Sequence, residues 1–256
     1  MDFFERWLKA ALLEVQEYVR LCGAAARASV TRPFYYRDVV EQFDAIGFGS
    51  LTVVILTGLF TGAVLALQSG ITLDQFGARS EVGRLVGASM LKELGPVLTA
   101  LMVAGRVGSG IAAELGSMVV TEQINALRAL GTDPIRKLVV PRILAGLLMV
   151  PVLTTISNAV GMTGAYIIAV GQLQVASSVY WSSVWNGLYM EDVWMALIKP
   201  FFLGLAVVTI GCHVGLRTTG GTQGVGRATT NAVVASSVAV LAVDFFVTKV
   251  LIVLMY

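Results

Sequence analysis

From residue 143 to residue 190 the chain carries no Asp, Glu, Lys or Arg, and the same is true between Asp44 and Asp74. Runs of that kind constrain the fold more than any motif does, because one bilayer crossing needs only about 20 consecutive apolar residues. The stretch "FGSLTVVILTGLFTGAVLALQSG" (48–70) is long enough for a first span. A short polar loop follows at 71–84. Residues 85–118 make a second span, studded with Lys92, Glu93, Arg106 and Glu114. "ILAGLLMVPVLTTISNAVGMTGAYIIAV" (143–170) is a third, and the polar, aromatic remainder to Tyr189 suits the opposite membrane interface. A fourth runs roughly from Val193 to Leu216 and a fifth from Ala232 to Tyr256, joined by the glycine-rich connection 217–231. Only 13% of the residues are charged, where a soluble domain carries about 25%.

The first 44 residues differ. Phe3, Phe4, Trp7, Leu8, Ala11, Leu12, Val15, Tyr18, Val19 and Cys22 recur at three- and four-residue steps, with Asp2, Glu5, Arg6, Lys9, Glu17 and Arg20 on the opposite face. That predicts an amphipathic helix, lying in the membrane interface or, alternatively, packed on a soluble partner. It is not a secretory signal, since acidic residues interrupt it and no compact apolar core or small-residue cleavage site follows. The expected fold is therefore an all-α integral membrane protein: an N-terminal amphipathic arm (1–44), then a five-helix transmembrane domain (45–256) with a short cytoplasmic helix between the second and third spans.

Cations set the orientation. Arg6, Lys9, Arg20, Arg27, Arg32 and Arg37 lie in the arm. Arg128, Arg136, Lys137 and Arg142 follow the second span, and Arg217 and Arg227 follow the fourth. The other side holds only Arg79 and Arg84. The N-terminus is expected in the cytoplasm and the C-terminus outside it.

Several function classes fall away. A net charge of +2 does not suggest nucleic acid. Cys22 and Cys212 have no metal-ligand spacing, His213 is the one histidine, and no cofactor is expected. "GTQGVGRAT" (221–229) approaches a phosphate-binding loop but has Arg227 and Ala228 where Lys and Ser/Thr belong, and it joins two membrane helices. Any energy from ATP must come through a partner. Five spans without a visible repeat cannot form two equal inverted halves, which weakens a secondary-transporter reading.

Three features remain. Ala104, Gly108, Ala112 and Gly116 recur every four residues in the second span, a small-residue stripe that lets helices approach closely, within the chain or across a homodimer seam. Ionisable residues inside a span cost about 2.5–3.5 kcal/mol each at its centre and are paired or line a wet cavity. Lys92, Glu93, Lys199 and Asp244 fall at comparable depths, with pairings such as Glu93–Lys199 or Asp244–Lys92, and form either the base of an outward-facing cavity or a structural knot of salt bridges. Gly95-Pro96, just beyond, predicts a kink, since Pro96 removes a backbone donor. Finally, 121–137 predicts a cytoplasmic helix: Thr121 can cap it, Ile124, Leu127 and Leu130 make an apolar ridge, and Gly131 with Asp133-Pro134 stops it.

"ELGPVLTALMVAGRVGSGIAAELGSMVVTEQINALRALGTDPIRKLVVPR" (93–142) closely resembles the hallmark region of the MlaE/YrbE permeases, the membrane subunits of ABC-type lipid transporters associated with MCE proteins. The likeness extends through "GLFTGAVLALQ", "RATT" and "SSVAVLAVDFF", covering nearly everything after residue 45. The resemblance implies a homodimeric phospholipid permease of the bacterial inner membrane that maintains outer-membrane lipid asymmetry. The dimer would sit on a cytoplasmic ABC ATPase pair, often with a STAS-domain accessory protein, beneath a periplasmic hexamer of MCE-domain proteins. It also implies that 121–134 is the coupling helix, touching the ATPase through Glu122, Gln123, Leu127, Leu130 and Asp133. It implies a lipid cavity between protomers that maps to Leu65, Leu67, Gln68, Leu73, Phe76, Lys92 and Glu93. Lys92 stands where many relatives have Arg, which keeps the charge and loses bidentate phosphate geometry. The alternatives are a non-transporting membrane scaffold that recruits cytoplasmic proteins through 121–134, or an ABC permease for small molecules.

Overall fold

The computed structural model describes residues 3–31 and 34–255, with side chains from Lys9 onward except those of Ala10 and Ala11. Asp2, Arg32 and Tyr256, and the side chains of Phe3, Phe4, Glu5, Arg6, Trp7, Leu8 and Ala11, lie outside the described residues. Among those described, every regular element is helical: α1 (Phe3–Val30), α2 (Tyr36–Asp74), α3 (Arg79–Val120), α4 (Gln123–Ala129), α5 (Ile135–Gly171), α6 (Ser177–Gly187), α7 (Met190–Leu216) and α8 (Gly221–Met255). Helices α2, α3, α5, α7 and α8 are long and apolar enough to cross a membrane; the first four contain the first four expected spans, and α8 covers the fifth as far as Met255.

Helix α5 is the axis of the bundle. Over half of its most apolar stretch is buried, against 11% for α8, which lies at the edge. Helices α2 and α5 cross closely because glycines face each other: a Cβ on Gly62 would fall onto the Gly161 backbone, and one on Gly58 would press on Ser157. Two apolar cores result. One joins Val54, Val103, Ala104, Leu115, Leu153, Leu203, Val207 and Val240 near mid-bundle. The other, at the end where α3 begins, joins Ala66, Val86, Met90, Ala165, Tyr180 and Val184. Helix α6 packs there over α3, and the Tyr180 hydroxyl donates to the Met162 carbonyl at 2.9 Å. Burial pushes the Tyr180 phenol up to about 12.

Helix α1 is strapped to α7 by polar contacts. Arg217 pairs with Glu14 (2.6 Å) and Glu17 (2.9 Å), and the Tyr18 hydroxyl bonds that of Thr209 at 2.7 Å. Of the apolar face named for this helix, Tyr18 and Cys22 turn toward α7 and α5. Leu12, Val15 and Val19 stay exposed.

Three local expectations are corrected. The glycine-rich segment from Gly221 onward is helical rather than a loop, leaving α7 and α8 joined by Arg217–Gly220 alone. Gly220 and Gly221 turn the chain at positive φ, and Gly224 lies so close to the Thr219 carbonyl that packing overrides glycine's poor helix propensity. Thr121 does not cap α4; its hydroxyl donates back to the Ser117 carbonyl at 2.8 Å, and Glu122 takes the cap position at φ +60°. Ile124 is no part of an exposed ridge, being buried within its own chain.

Candidate functional site

Helix α3 widens into a five-residue π-helical turn at Met90–Leu94 and runs on through Gly95. Gly95 has no side chain because Asn158 of α5 occupies that space. The feature expected as a kink is this wide turn, and it has a chemical consequence. Pro96 has no N–H to offer the carbonyl four residues back, that of Lys92. That carbonyl instead accepts a hydrogen bond from Lys199 Nζ at 2.7 Å.

Lys199, on α7, is 0% exposed. Its ammonium donates to the Lys92 carbonyl and to Glu93 Oε2 at 2.8 Å, and forms an ion pair with Asp244 Oδ1 of α8 at 2.9 Å. A buried cation is tolerated on those terms, with two carboxylates close by and hydrogen bonds to the Lys92 carbonyl and Glu93. Helices α3, α7 and α8 are thereby pinned at one level. Glu93 remains 45% exposed, at the rim of a cavity of about 430 Å³ with Asp244, Phe245, Lys249 and Ile252.

The structure brings Glu93, Lys199 and Asp244 together and sends the Lys92 side chain elsewhere. Its ammonium pairs with Asp192 Oδ1 at 2.8 Å, so the Asp244–Lys92 pairing is corrected to Lys92–Asp192. Asp192 is fully buried in the first turn of α7, where the helix dipole favours a carboxylate, and it also accepts the Tyr189 N–H at 3.2 Å. Sequence reading missed Asp192. The signal available was an acidic residue opening an apolar span with one more intramembrane cation nearby to neutralise it.

Lys92 and Leu73 line a second cavity of about 360 Å³ with Glu81, Arg84, Leu85 and Tyr189. The other residues mapped to a lipid cavity do not gather there. Leu65 is half-buried against the Ala66–Val86 core, while Leu67 and Gln68 lie exposed on α2 and Phe76 in the turn after it, Phe76 at 77%.

The small-residue stripe is used within the chain. Ala104 and Ala112 are buried, Gly108 lies against Val207 and Ser236, and Gly116 lies beneath Thr218. Alongside, Gly105 and Gly110 face open space. A second π-helical turn, Ala104–Gly108, presents Arg106, whose guanidinium donates to the Ala45 carbonyl and to Ser50 Oγ, each at 3.0 Å. Glu114 meets the buried Arg142 of α5 at 2.7 Å.

Helix α4 stands between α3 and α5. Gln123 and Leu130 are exposed, Leu130 at 80%, and Leu127 is half-buried. Gly131 turns at φ +75°, and Asp133 Oδ1 accepts the Ile135 N–H at 3.0 Å, opening α5. Glu122 accepts from Asn125.

Known proteins resemble this chain over most of its length. The family described as Permease MlaE matches residues 39–250. A protein of Rickettsia conorii named "Probable ABC transporter permease protein" is 44% identical over 90% of this chain and 89% of its own length. One of the same name from Rickettsia bellii is 43% identical over 88% and 87%. The "Intermembrane phospholipid transport system permease protein MlaE" of Haemophilus influenzae is 38% identical over 83% of this chain and 82% of its own.

Proposed function

The chain belongs to the permease MlaE family, and on that premise we propose that it carries phospholipid between the bacterial inner membrane and periplasmic MCE-domain proteins. The observation that carries this reading is the likeness, over most of both chains, to a Haemophilus permease named for phospholipid transport. The geometry fits such a substrate. A lipid needs apolar walls for its chains and a charged station for its headgroup, and both lie at the end of the bundle where α3 begins. Leu67 on α2 and Phe76 in the turn after it leave apolar surface exposed, and Lys92 and Glu93 open into neighbouring cavities. A second copy closes the site, with Leu65, Leu67, Gln68, Leu73 and Phe76 walling the lipid chains, and Lys92 meeting the phosphate as a point charge.

In this reading the N-terminus is cytoplasmic, the C-terminus periplasmic, and an ABC ATPase pair supplies the energy. The ATPase docks on α4 through Glu122, Gln123, Leu127, Leu130 and Asp133. Exposed Leu130 is its apolar anchor, and the left-handed turns at Glu122 and Gly131 hold the helix rigidly between two spans. An MCE-domain hexamer receives or delivers the lipid on the periplasmic side, and a STAS-domain protein accompanies the ATPase. The result maintains outer-membrane lipid asymmetry.

Native mass spectrometry of the permease with its ATPase and MCE partners is the test. Co-purified phospholipid is expected, and a complex assembled without any contradicts the reading. Separately, Leu130→Asp should leave the helix content unchanged and abolish ATPase pull-down; undiminished pull-down removes α4 as the docking element.

A further inference from the structure

A crevice of about 410 Å³ lies between α1, α5 and α7, within the range of about 300–1,000 Å³ typical of small-molecule sites. We infer that it holds one acyl chain of a membrane lipid, at a site separate from the charged cluster. Its walls are the side chains of Ala25 and Ala26 on α1, Ile143, Leu144 and Leu147 on α5, and Leu205 on α7.

The chemistry of the lining selects a hydrocarbon. The polar groups at the edge are already satisfied by one another. The Tyr18 and Thr209 hydroxyls share a 2.7 Å bond, Thr209 also donates to the Leu205 carbonyl at 2.7 Å, and Ser29 Oγ donates to the Ala26 carbonyl at 2.8 Å. Burial pushes the Cys22 thiol up, so it stays uncharged. A headgroup or a polar metabolite would leave its own donors and acceptors unmet here, which is costly, whereas a methylene chain loses nothing.

The position supplies the source. Leu148 and Val152 continue the Leu144 strip along α5, and Phe202 lies one turn from Leu205 on α7; all three are exposed apolar residues of membrane-spanning helices. The crevice is continuous with that hydrocarbon-facing surface, so a lipid tail enters it sideways without crossing a polar rim. Thr209 lies ten residues from Lys199 along α7, about 15 Å away. The bound chain fills the joint between α1 and the bundle, beside the Tyr18 bond, the Glu14 and Glu17 pairs with Arg217, and the core packing of Leu21 and Ala25. The inference depends on the chain's spanning a membrane and holds whatever the permease transports.

The test uses the full chain in phosphatidylcholine vesicles containing a fraction of phosphatidylcholine with a diazirine in one acyl chain, irradiated and mapped by peptide mass spectrometry. Label at Leu144 and Leu147 is expected to persist when unlabelled vesicles are added in excess before irradiation, while label at Val152 is diluted away. Ala26→Trp fills the crevice from its exposed rim and should remove most label from Leu144 and Leu147 while sparing Val152. Should that variant fold poorly, Ala26→Leu gives a smaller loss in the same direction. Label at Leu144 and Leu147 that exchanges as fast as label at Val152, or that is indifferent to Ala26, overturns the inference. Either result leaves lipid co-purification at the charged site unaffected, so the two readings fail separately.

Discussion

Helix α3 widens twice into a five-residue π-helical turn, and both turns carry a cation, but the two charges are settled in opposite ways. At Met90–Leu94 the turn brings Glu93 and the Lys92 carbonyl to a fully buried ammonium from another helix, and the Lys92 side chain finds a buried carboxylate of its own. At Ala104–Gly108 the exposed Arg106 reaches across to α2 and takes neutral acceptors, a backbone carbonyl and a hydroxyl. In the first arrangement each exposed charge pairs with a fully buried one, Glu93 with Lys199 and Lys92 with Asp192, and solvent cannot replace the buried member. The second is a brace that water or a headgroup can replace. Charge inside a span thus says little until one knows whether its partners are also sealed in.

The largest expected effect is that of Lys199→Met. It strands Glu93 and Asp244 together without their cation, and breaking a buried pair costs about 3–5 kcal/mol. Thermal unfolding in detergent should show a large loss, and a small one would mean that the cluster is wetter than its geometry shows. Exchanging the charges, Glu93→Lys with Lys199→Glu, should not repair it. The new carboxylate at 199 would face Asp244 and the Lys92 carbonyl, so a rescued Tm would show that Glu93 alone matters to Lys199. Lys92→Met comes next: Asp192 keeps the Tyr189 N–H and the helix dipole, so a loss of about 1–3 kcal/mol is expected. Arg106→Gln should cost least, about 1 kcal/mol or below, since an amide can still reach Ser50 or the Ala45 carbonyl. An Arg106→Gln loss as large as that of Lys199→Met would erase the distinction between the two turns.

The five spans were legible because each apolar run exceeds what a crossing needs, and hydropathy is a property of the run rather than of its neighbours. The Glu93–Lys199 pair was legible for a related reason: intramembrane charges are few and must find one another. Asp192 escaped because it opens its helix, where an acidic residue reads as interfacial, and only the tertiary fold buries it against Lys92. The freed Lys92 carbonyl follows from Pro96, yet which donor would take it depends on where α7 passes. The helical start of α8 escaped for the converse reason. Three glycines in its first eleven residues signal a loop, and only the packing of Gly224 against Thr219 shows why that one is needed in a helix. The small-residue stripe fitted an internal seam or a dimer seam equally well, and the positions of α7 and α8 assign Gly108 and Gly116 to the former.

The most direct test of the account is ATP-dependent transfer of fluorescent phosphatidylethanolamine between proteoliposomes that hold this chain with its ATPase and a soluble MCE-domain acceptor. The account expects lipid to move only with ATP, to stop in a folded Glu93→Lys variant, and to continue in Arg106→Gln. Sustained ATP hydrolysis by the assembled complex with no lipid moved in either direction would contradict it.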